Sequence, residues 1–98
     1  MYVRILEGKL RASDSPQAID YFRQSVAPAL RRQPGFVSAR LLSDAAGEEC
    51  LLVLFWETEA DRDQADADDF LQTLLGHLGV YFVDQPSRRS FELIVLIV

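Results

Sequence analysis

The chain is short of several things, and each shortage removes a class of function. One cysteine, Cys50, stands among 98 residues. It has no CxxC partner, so neither an internal disulfide nor a cysteine zinc site can form, and within an apolar run it reads as a small buried hydrophobe. One histidine, His77, excludes a histidine metal cluster, and no Ser/His/Asp order suggests a hydrolase. Basic residues are outnumbered, ten Lys and Arg against fifteen Asp and Glu, giving net −5. Phosphate-backbone binding needs a basic footprint, so no nucleic-acid partner is expected. The longest apolar runs, Cys50 to Trp56 and Leu93 to Val98, fall far short of the roughly 20 residues of a membrane helix. No charged start leads into an apolar stretch, as a signal peptide would. The expectation is a soluble cytoplasmic protein with no membrane partner.

What is present is a globular composition. Residues are 49% hydrophobic and 26% charged, and five Gly and four Pro leave little scope for disorder. The length suits one domain over 1–98. No repeat or linker interrupts it.

Along the chain, Met1 to Leu10 reads as a strand, with Val3 and Ile5 on one side and Tyr2, Leu6 and Leu10 on the other. Arg11 to Ser15 is polar, and Ser15 before Pro16 fits an N-cap followed by proline at the first helical position. Ile19, Phe22, Val26, Ala29 and Leu30 make a helical stripe, which Pro28 should loosen before Gln33-Pro34-Gly35 ends it. Phe36–Ser43 and Glu48–Glu57 read as a hairpin around the tight connection Asp44-Ala45-Ala46-Gly47. Thr58 caps a second helix with Asp61 three residues on. The acidic stretch 60–69 breaks near Asp66 to Asp68, and Phe70, Leu71, Leu74, Leu75 and Leu78 line a further helical piece that Gly79 stops. Val80 to Val83 is ambiguous, Asp84 to Arg89 reads as a turn, and Phe91 to Val98 reads as the last strand.

The order β-α-β-β-α-β predicts an α+β, ferredoxin-like antiparallel sheet with both helices on one face. The uncovered face should then be polar in a monomer. It is not: Leu51, Val53 and Phe55 alternate with Cys50, Leu52, Leu54 and Trp56, and the last strand is apolar on both sides. Such a patch exceeds the few hundred Å² typical of monomers. A two-fold homodimer through the sheet faces, with a standard interface of about 1,600 Å², is the simplest cover.

The element order, the Pro34-Gly35-Phe36 break and the run Phe55-Trp56-Glu57-Thr58-Glu59 resemble the antibiotic-biosynthesis-monooxygenase-like domains of the dimeric α+β barrel superfamily. The resemblance spans almost the whole chain. It implies a homodimer whose two sheets form a barrel, with a pocket between sheet and helices in each subunit. It also implies oxidation of a small aromatic, a quinol or polyketide-type phenol, without metal, flavin or other cofactor. Haem-degrading relatives carry an Asn on strand one, a Trp on helix two and a later His. Here Glu7 and Gly8, Ala65, and Leu74 or Leu75 occupy those places, which argues against that branch.

The candidate site residues follow from chemistry. His77 is the one candidate base near neutral pH, against a reading as a surface or core-edge histidine. Trp56, Tyr21 and Phe22 can line an apolar pocket for an aromatic ligand, or simply fill the core. Arg40 and Glu7 interrupt apolar strands and can face the pocket or pair at the sheet margins, and Arg4 can pair with Glu92 across strands one and four. Two further functions share this pattern: a non-catalytic dimeric module that binds a small ligand, and an isomerase or decarboxylase.

Overall fold

The computed structural model describes residues 1–44 and 48–98. Ala45, Ala46 and Gly47 of the expected tight connection therefore lie outside the described residues. On either side of them, the Asp44 N–H donates to the Glu49 carbonyl and the Glu48 N–H to Asp44 Oδ1, both at 3.0 Å.

Four strands form one antiparallel sheet: β1 (Tyr2–Lys9), β2 (Phe36–Ser43), β3 (Glu49–Trp56) and β4 (Ser87–Glu92), in the order β2-β3-β1-β4. The register fixes the faces. Trp56, Leu54, Leu52 and Cys50 stand beside Tyr2, Arg4, Leu6 and Gly8 on the side that the helices cover. All four of the β3 residues are buried. Val3, Ile5 and Glu7 share the other face with Phe55, Val53 and Leu51. The chain has the expected α+β ferredoxin-like fold.

The first helical stretch runs as α1 (Ser15–Tyr21), a π-helical segment Phe22–Val26, and α2 (Ala27–Arg31). Pro28 lacks the N–H that would close an i→i−4 bond, and the wide π turn sits immediately before it. The expected loosening is thus a local change of helical pitch. Ser15 does not cap: a 3₁₀ turn over Ala12–Asp14 runs directly into the helix, so winding begins earlier and Ser15 is already helical. Gly35 ends the excursion with φ 72, where a Cβ would also collide with the Asp61 carboxylate.

The acidic segment divides as its pattern predicts. In α3 (Glu59–Asp66), Thr58 Oγ1 accepts from the Asp61 N–H at 3.0 Å. In α4 (Asp69–Leu78), Asp68 Oδ1 accepts from the Leu71 N–H at 2.8 Å. These caps explain a break with no Gly or Pro. The ambiguous stretch is a 3₁₀ turn, Gly79–Tyr81, followed by Phe82, which bridges to Leu10 and packs so closely over Gly8 that a Cβ there would meet its ring at 2.5 Å.

The last strand differs from its expected span. β4 begins at Ser87, inside the segment read as a turn, and ends at Glu92. Backbone pairing with β1 sets this register, Ser87 against Glu7 through Glu92 against Tyr2. An edge strand tolerates the polar run Ser87-Arg88-Arg89-Ser90, so hydropathy pointed too far along. Beyond it the Leu93 N–H still donates to the Met1 carbonyl at 2.8 Å, and Ile94 to Val98 project exposed. The same register puts Arg4 opposite Ser90 and Tyr2 opposite Glu92, so the Arg4–Glu92 pair does not form. No helix among the described residues is long and apolar enough to cross a membrane.

Candidate functional site

The helix-covered face is not apolar throughout. Arg4 sits between Tyr2 and Leu6 in β1, neighbour to Leu54, where an unpaired charge would be costly. Its guanidinium meets Asp66 from the end of α3 and Ser90 Oγ from β4, and it is almost fully covered. Its Nε is buried with no hydrogen-bond partner among the described residues. Asp66 also faces a second cation, Arg88 of β4, at 3.9 Å. Arg88 in turn donates to Gln72 Oε1 of α4 at 3.0 Å, and the Gln72 amide donates to the Ala65 carbonyl at 3.1 Å. Two guanidiniums thus converge on one carboxylate. The cluster holds one net positive charge within a protein of net −5.

Arg88 and Gln72 of this cluster line a cleft of about 690 Å³ between the sheet and α4. Leu6, Leu75, Val80 and Pro86 supply apolar walls, and Gln72, Gln85 and Arg88 supply polar groups. That mixture, with few polar groups on a largely apolar surface, is what small-molecule sites have in common. Behind Arg88 the space closes against Arg4, Trp56, Ala65 and Leu71 to about 10 Å³, room for one water at most. The cleft is roomy outside and sealed within.

The six residues singled out from the sequence are spread over four places. Trp56 lies at the sealed inner end, buried, with the Phe36 ring edge-on at 5.5 Å between centroids. Tyr21 and His77 come together, with ring centroids 6.4 Å apart, where α1 meets α4. The Tyr21 hydroxyl donates to the Leu74 carbonyl at 3.1 Å. Burial, aided by the neighbouring Tyr81, pushes its pKa above the usual 10.0, so it stays a donor. His77 is exposed in the last turn of α4 and does not line the cleft. Phe22 packs toward β2, beside a smaller cavity of about 250 Å³ that reaches Cys50. Burial raises the Cys50 thiol above its ordinary 9.0. Glu7 and Arg40 stand on the open face of the sheet, remote from the cleft.

Sequence reasoning missed Asp66, Gln72 and Arg88. One signal was available: Arg4 occupies an inward position of a central strand, and the acidic segment that folds over it had to provide the counter-charge. Among the described residues, no group of three or more His, Cys, Asp or Glu is placed to hold a metal ion.

The sequence matches no protein-family model and no curated protein. Solved structures do match. The ActVA-Orf6 monooxygenase of Streptomyces coelicolor, in complex with nanaomycin D, superposes with TM-score 0.84 at 19% identity over 99% of this chain and 90% of its own. SnoaB, a cofactor-independent oxygenase of Streptomyces nogalater, gives 0.83 at 15% identity over 98% and 95%. An antibiotic biosynthesis monooxygenase gives 0.76 at 14% identity over 97% and 100%. The chain thus shares the fold of antibiotic biosynthesis monooxygenase structures.

Proposed function

We propose that the protein is an oxygenase of the cofactor-independent monooxygenase type, acting on a planar aromatic with an ionisable hydroxyl, a quinol or polyketide-type phenol. One observation carries the reading: Arg88 and Gln72, bonded to each other at 3.0 Å, face the same open volume from a cluster with a spare positive charge. A phenolate laid against Leu6, Leu75, Val80 and Pro86 would present its oxygen to Arg88 and Gln72. Charge-assisted hydrogen bonds hold the deprotonated form best, and that form can itself give electrons to dioxygen. A C–O bond then forms at a ring carbon that carries two hydrogens in its keto tautomer. The O–O bond breaks, one oxygen stays as a carbonyl, and the other leaves as water with both hydrogens. The substrate loses four electrons and dioxygen gains four. The chain supplies orientation and an electrostatic seat for the oxyanion. The description of a structural neighbour as a cofactor-independent oxygenase supports this chemistry.

The test is oxygen uptake with a panel of reduced hydroxyaromatics. Turnover is expected, with kcat/KM falling about tenfold or more in Arg88→Met. Binding without turnover across the panel would contradict the oxygenase reading and leave a ligand-binding module.

A further inference from the structure

Among the described residues, Arg88 is the one charged side chain that lines the cleft. Two charges that do not line it decide how free that cation is. Asp66, the last residue of α3, stands 3.9 Å from the Arg88 guanidinium through Oδ1, while its Oδ2 meets Arg4. Arg4 and Asp66 both lie behind the cleft, around its sealed inner end. No other charged side chain among the described residues pairs with any of the three.

Local helix chemistry gives no reason for an Asp at position 66. A negative charge at a helix C-terminus opposes the helix dipole, and the last turn of α3 has no basic residue to offset it. Arg4 supplies the reason. Its side chain is 12% exposed, so water cannot meet its charge and a carboxylate must. Arg88 is 45% exposed, open to solvent and already bonded to Gln72 at 3.0 Å. The covered cation therefore takes the carboxylate, and the exposed one stands beside it only loosely.

We infer that Arg4 is a positioning residue for anion binding in the cleft: by neutralising Asp66 from behind, it leaves the charge of Arg88 to a ligand oxyanion. Without Arg4 the Asp66 carboxylate would draw Arg88 into a salt bridge, and the cluster would fall from one net positive charge to none. With both Arg4 and Asp66 neutral, Arg88 would again be unopposed. The inference rests on the reading that the cleft seats a phenolate. It adds that a side chain outside the cleft sets the strength of that seat.

The test is equilibrium dialysis of two probes, 4-nitro-1-naphthol in a buffer basic enough to ionise it and its methyl ether. The ratio of their affinities reads recognition of the oxyanion and cancels general damage to the cleft. The parent chain should prefer the phenolate. Arg4→Met should lower the ratio about tenfold or more, and adding Asp66→Asn to it should restore most of the loss. Circular dichroism checks that each variant is folded. Should Arg4→Met not fold, Arg4→Lys and the double variant still decide, because one keeps the charge and the other removes the ion pair whole. Both should keep the parent ratio, and a tenfold fall in either overturns the inference. So does an unchanged ratio in folded Arg4→Met, with the phenolate reading left standing. Equal affinity of the parent chain for the two probes contradicts the phenolate reading itself, and the inference with it.

Discussion

The two faces of this sheet begin from the same sequence grammar and end differently. Both alternate large apolar residues with an occasional charge. On the helix side Arg4 is enclosed and tied to Asp66 and Ser90, and its neighbours Leu52, Leu54 and Trp56 are sealed. On the open side Arg40 and Arg89 lie over the half-buried Phe55 ring and the exposed Phe91 ring, and neither pairs with a carboxylate among the described residues. A charge enclosed within one chain becomes part of a site, because its partners are fixed by the fold. A charge left on a bare apolar face is suited to a contact that the single chain does not contain.

The largest effect should separate the faces by stability. Trp56→Ala removes a buried ring and should cost about 3–5 kcal/mol at any protein concentration. Phe55→Ala, one residue earlier and facing outward, should cost less in dilute solution, and a loss that grows with concentration would mark the self-association expected from the sequence. Urea unfolding of both variants at two concentrations checks this. Equal losses, independent of concentration, would erase the distinction.

A smaller effect probes the sealed side through pH. The Cys50 thiol is raised above 9.0 by burial, so the folded state holds its proton more tightly than the unfolded chain does. The stability it contributes is fully present below pH 9.0 and is lost as pH rises through the folded value. The alkaline fall in stability should therefore be shallower in Cys50→Ala. Iodoacetamide should label native Cys50 far more slowly than the unfolded chain, and equal rates would contradict its enclosure.

Much of this was legible from local chemistry. Thr58 announces a helix start because a short oxygen-bearing side chain satisfies an otherwise orphaned N–H, and it does so; at the expected break, Asp68 makes the same kind of cap. The alternation in β3 foretold which residues share a face, and burial shows that Cys50, Leu52, Leu54 and Trp56 are the ones beneath the helices. Where local chemistry gave way to tertiary pairing, the reading slipped. β4 is polar at its start and is a strand only because β1 pairs with it, while the more apolar Leu93 to Val98 extends past that pairing. The candidate site was harder still. Arg4, Asp66, Gln72 and Arg88 come from four elements, and no spacing along the chain joins them. His77, Tyr21 and Phe22 drew notice by residue type, yet the cleft is lined instead by Arg88, from a segment read as a turn, and by Gln72, which residue type alone does not mark.

The most direct measurement is a map of amide chemical shifts as a planar hydroxyaromatic is titrated into the protein above pH 7. Perturbations should centre on Leu6, Gln72, Leu75 and Arg88 and be abolished in Arg88→Met. Perturbations centred on Val53, Phe55 and Phe91 would place the ligand on the opposite side of the sheet and contradict this account of the cleft.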